Sequence, residues 1–98
     1  MINWLNADFS KKVQFNKLVS SPASDEMQIV IPAGEEIKEH KSPSMIAIQV
    51  LKGEIELKVL CSMFTLKDGD MKVIDTGGVE HALKAKVDSV VRLSIYKK

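Results

Sequence analysis

The chemistry open to this chain starts from two imidazoles, because His40 and His81 are its only histidines. A histidine ring titrates near neutral pH and, when neutral, is a common metal ligand. The pair could therefore move protons or ligate an ion, but two groups are too few for a full protein-ligated metal site. Glu80, next to His81, could add a carboxylate ligand or a general base. Adjacent strand residues point to opposite faces, so only one of the two faces a given pocket unless a bulge intervenes. Ser42 has no base to activate it, and two histidines support no Ser-His-Asp order. Arg92, within Val90-Val91-Arg92-Leu93, either binds an anion or pairs with a carboxylate, and the carboxylate is the simpler expectation. Cys61 is the single cysteine, so no intrachain disulfide forms, and only Lys58 lies near it to activate a thiol.

Strands must position these residues. Met27–Ile31 is a β-branched run that stops at Pro32-Ala33-Gly34, and Met45–Leu51 ends at Lys52-Gly53. Glu54–Leu60 alternates charged and apolar residues, so one face is wet and the other buried. Met63–Leu66, Met71–Ile74, Val79–Leu83 and Ser89–Tyr96 follow, separated by Gly69 and Gly77-Gly78, and Val13–Ser20 adds a strand upstream. Eight or nine short strands with a turn every 8–12 residues describe an all-β sandwich or barrel. Any helix belongs near Trp4–Lys11. Gln49 falls on the face opposite Ile46, Ile48 and Val50. Met27, Met45, Met63 and Met71, with Phe64, are expected in the core or lining a pocket.

Gly34, His40, Ser42, Ile46 and Gly53, in that spacing, resemble the first motif of the cupins, which reads Gly, His, His, Glu, Gly. Gly69-Asp70, Thr76, Gly78 and His81 are similar to the second motif, with one extra residue between Gly69 and Thr76 that predicts a bulge. The resemblance covers roughly residues 26–96. It implies a double-stranded β-helix, the cupin jelly-roll barrel, as residues 26–98. Residues 1–25 are expected to form an N-terminal segment in which an extra strand could serve dimer packing. Metal-binding cupins use three histidines and a glutamate. Here Ser42 stands for the middle histidine and Ile46 for the glutamate, and isoleucine coordinates nothing.

Composition sets the remaining limits. Fourteen basic and thirteen acidic side chains are interspersed, leaving no basic patch for nucleic acid. No apolar run reaches the length of a membrane span and no signal peptide is visible, so the expected location is cytoplasmic. The expected function is a metal-independent binding or interaction module with no cofactor, rather than an enzyme. Its pocket for an unknown small molecule comprises His40, Ser42, Ile46, Ile48, His81 and Leu83. The alternative is a degenerate metal-dependent cupin enzyme, of oxygenase or isomerase type, holding a divalent transition metal weakly on His40 and His81. A homodimer is expected, because small cupins pair and because Trp4 and Phe9 need burial.

Overall fold

Alternation of apolar and polar residues over short stretches gives strands, and the computed structural model, which describes residues 1–97, consists of nine. They are β1 Gln14–Ser20, β2 Ser24–Ile31, β3 Glu36–Lys41, β4 Ile46–Lys52, β5 Glu54–Val59, β6 Ser62–Lys67, β7 Met71–Ile74, β8 Glu80–Ala85 and β9 Ser89–Tyr96. Five form one sheet in the order β1-β2-β9-β4-β7, and four form a second in the order β3-β8-β5-β6. Every pairing is antiparallel. This is the jelly-roll architecture expected from the sequence.

The core lies between the sheets. Ile29, Ile31, Ile46, Ile48, Val50 and Val91 come from the five-stranded sheet, and Ile55, Leu57, Leu66, Leu83 and Ala85 from the other. Each fully buried Ile or Leu contributes about 1.5–3 kcal/mol relative to an exposed one. The β4–β5 reversal depends on Gly53, whose φ is 110° and whose added Cβ would lie 2.3 Å from the Ser89 hydroxyl and 2.7 Å from the Asp88 carbonyl. Both the left-handed backbone and the lack of space therefore demand glycine there.

Several expectations are corrected. Trp4–Lys11, the one stretch left open to a helix, has none: residues 1–13 contain only turns and bends. This segment lies on the outer face of the five-stranded sheet. Gln28 donates from Nε2 to the carbonyls of Trp4 (2.8 Å) and Asn6 (2.9 Å), and the Arg92 guanidinium sits 4.9 Å from the Trp4 ring centroid. Trp4 and Phe9 are thus half-buried on their own chain. β3 carries His40 and was not among the strands read from the sequence. The bulge expected in the second motif is absent from β7, which pairs with β4 in unbroken register, and lies instead in β3 between Ile37 and His40. Met45 and Met71 are exposed rather than core or pocket lining, because each stands on a solvent-facing position or at a strand edge, whereas Met63, also exposed, lines a groove on the four-stranded sheet. No helix among the described residues is long and apolar enough to cross a membrane.

Candidate functional site

The bulge in β3 decides what faces the interior. Two residues, Lys38 and Glu39, oppose the single Ala82 of β8 between the pairs Ile37–Leu83 and His40–His81. Without it, Ile37 and His40 would have opposite parity and point to opposite faces. With it, both line one recess between the sheets, together with Phe15, Ile29, Ile48, His81, Leu83 and Leu93.

His40 and His81 meet there as cross-strand partners, their ring centroids 4.2 Å apart and their planes at 60°. Each Nδ1 lies 3.0 Å from a backbone carbonyl two residues earlier, Lys38 for His40 and Val79 for His81. A carbonyl only accepts, so in the neutral rings Nδ1 carries the proton. Nε2 is left as an acceptor with no partner among the described residues. His81 is 3% exposed, whereas His40 is open to solvent. Burial holds the His81 imidazole below its ordinary protonation range. The nearby His40 ring adds to that depression, against the opposing pull of the Val79 carbonyl.

The recess encloses about 20 Å³, space for about one water. Two of its walls stand on the outermost strands of their sheets, β1 and β3. Those walls are Phe15, 54% exposed, and His40.

Of the residues expected to form the pocket, His40, Ile48, His81 and Leu83 are brought together. Ser42 lies beyond the end of β3, half-buried, and its hydroxyl accepts from the Ser44 amide at 3.4 Å. Ile46 is 2% exposed within the core and does not line the recess. The choice between Glu80 and His81 is resolved: His81 points inward, while Glu80 is exposed and lies 4.0 Å from Lys41. Gln49 is on the outer face, as alternation requires. Arg92 pairs with Glu26 at 3.0 Å on that outer face. Burial pushes the Glu26 carboxyl upward, but hydrogen bonds from Ser24, Ser94 and Arg92 outweigh it and hold the group below its ordinary value. The sequence reading missed Phe15, Ile29, Ile37 and Leu93. Ile29 and Leu93 share the parity of the core residues Ile31 and Val91 in their strands, a usable signal, but β1 offers no such core residue beside Phe15 and the bulge hides Ile37.

The metal centre of the cupins finds no fit here. Its four-ligand set would need imidazole and carboxylate at the positions of Ser42 and Ile46. Among the described residues no group of three or more His, Cys, Asp or Glu side chains could hold an ion.

Comparison with known proteins agrees with the fold. No protein-family model matches the sequence, and no curated protein matches it. Solved structures do. An RmlC-like cupin protein from Desulfovibrio desulfuricans is 23% identical, with 98% of this chain and 94% of that one covered and a TM-score of 0.82. A cupin superfamily protein from Desulfitobacterium hafniense is 16% identical over 96% of this chain and 84% of its own, with a TM-score of 0.83. A conserved protein of unknown function from Streptococcus pyogenes is 22% identical over 91% and 77%, with a TM-score of 0.80.

Proposed function

Because the chain folds as a small cupin, we propose that it is a metal-independent ligand-binding module whose site is the recess at His40 and His81. One observation carries this reading: two imidazoles packed edge to face are tied by Nδ1 to carbonyls, leaving both Nε2 acceptors beside an apolar lining. The complementary ligand is neutral, with a hydroxyl or N–H to donate and an apolar body to lie against Ile48, Leu83 and Leu93. Its entry displaces Phe15 and His40, the two exposed walls, since the closed recess holds no more than about one water. Ser42 and Ile46 then act from outside the lining, Ile46 by filling the core beneath it.

Phenol, with toluene and benzoate as comparators, tests this. Phenol is expected to raise the melting temperature and perturb the His81 ring resonances. Toluene lacks the donor and ionised benzoate lacks a cationic partner, so both bind more weakly. His81→Phe abolishes the preference. Binding that ignores His81→Phe, or no stabilisation by any of the three, overturns the proposal.

The second reading is an enzyme of oxygenase or isomerase type with a weakly held divalent transition metal on His40 and His81. The same Nδ1 contacts favour it, because a second hydrogen-bonded nitrogen orients a metal-ligating histidine. Metal analysis of tag-free protein purified without chelator separates the two. A stoichiometric transition metal that disappears in His40→Ala or His81→Ala selects the enzyme.

A further inference from the structure

The two faces of β1 are tied to different parts of the molecule. Phe15 points inward and walls the recess, whereas its neighbours Gln14 and Asn16 point outward, to the side on which residues 1–13 lie. Gln14 donates from Nε2 to the Asp8 carbonyl at 2.9 Å. Asn16 donates from Nδ2 to Oε1 of Gln28 at 3.1 Å, and the same Gln28 amide holds the carbonyls of Trp4 and Asn6. The Trp4 ring is clasped in turn by Arg92, which Glu26 fixes in place. Residues 1–13 are thus a strap across the outer face, and its ties converge on residues 14–16.

β1 has little else to hold it. It is an outermost strand with β2 as its one neighbour, and its ladder is interrupted between Lys17 and Val19. Of residues 13–20, Val13 alone packs against the core cluster, and Phe15 is mostly exposed. Elements with few buried apolar contacts are the first to open in native fluctuations.

We infer that the strap is a latch on the recess: docked, it holds residues 14–16 and keeps Phe15 in the wall; undocked, it lets β1 swing away and opens the way to His81. The latch deepens the ligand reading, whose entry route passes Phe15, and rests on that reading only for what enters. Strap and ligand oppose each other through β1, so each weakens the other by the same factor.

Deuterium exchange at the imidazole C2–H, resolved for His40 and His81 by peptide mass spectrometry, tests the latch on the full chain without any ligand. Trp4→Ala speeds exchange at His81 by about three- to tenfold, the worth of one cation–π contact. The amides of residues 14–17 follow, while the exposed His40 and the amides of β5 keep their wild-type rates. Gln14→Ala acts in the same direction. Trp4→Phe, which keeps a ring beside Arg92, restores the shielding, and Leu5→Ala, at an exposed position of the strap, changes nothing. A His81 ring indifferent to both Trp4→Ala and Gln14→Ala overturns the inference. So does an acceleration that spreads equally to β5, the mark of a general loss of stability. Phenol separates the latch from the ligand reading: Trp4→Ala binds it more tightly, by the factor seen in exchange. Phenol binding through His81 with equal affinity in both proteins sinks the latch and leaves the ligand reading intact. If His81 exchange responds but phenol binds neither protein, the ligand reading fails and the latch stands.

Discussion

At His81 burial outweighs the hydrogen bond, and the consequence is a pH dependence with a definite sign. The folded ring resists protonation, whereas in the unfolded chain it takes a proton near its ordinary value of 6.5. Between those two values the unfolded state binds more protons, so stability rises with pH. Stability is therefore full above about 6.5. It declines as the pH falls toward the lower folded value. Denaturant titrations across this range should show that slope, and His81→Phe should flatten it. Glu26 behaves as an acid held ionised: its contribution is present above about 4.5 and lost as the pH drops further. Arg92→Ala removes a partner from a carboxylate whose side chain is only 10% exposed. The expected loss is about 1–3 kcal/mol, measured by urea unfolding, with part of it from uncovering the Trp4 ring. At Ile46 the opposite experiment is informative. Ile46→Glu restores the acidic residue of metal-bearing cupins but buries it without a partner, and a loss of about 3 kcal/mol or more is expected.

Among the elements, the turns that carry the chain from one sheet to the other differ in how much tolerance they have. Gly53→Ala forces a side chain into the Ser89 hydroxyl and an unfavourable φ together, so it should cost about 2–4 kcal/mol by thermal or denaturant unfolding. Gly34→Ala meets no atom within 4 Å and is strained only by its φ of 83°, so it should cost less. The elements also differ in how legible they were. Glu54–Val59 could be assigned from sequence because its alternation is unbroken and both Ile55 and Leu57 are fully buried. Glu36–Lys41 could not, because it holds one apolar residue among charges and its bulge breaks the period of two. That unread strand carries His40, so the glycines and histidines located the site while the pairing of the two rings stayed hidden. Trp4–Lys11 stayed open for another reason: the segment is fixed by side chains reaching its carbonyls from β1 and β2, a long-range effect that local propensity does not encode.

For the molecule as a whole, the decisive feature is that both sheets interleave distant parts of the chain. β9 sits between β2 and β4, joining residues 24–31 to 89–96. Such non-local pairing predicts a single cooperative unfolding transition and refolding on the ~ms–s scale of all-β sandwiches, which stopped-flow fluorescence of Trp4 would measure. A chain stopped at residue 88 lacks the strand between β2 and β4. It should show the collapsed amide spectrum of an unfolded protein rather than a trimmed barrel.

That placement of β9 also sets the order of events on the ribosome. While residues 24–52 are already outside, β2 and β4 each wait with one bare edge, and the strand that will separate them has yet to emerge. Until Tyr96 clears the exit tunnel, the growing polypeptide carries two sticky apolar ribbons of the kind that chaperones hold and neighbouring nascent chains capture. Slowing translation just before Ser89 should therefore increase insoluble product, whereas slowing it before Ser24, when neither ribbon has been made, should not.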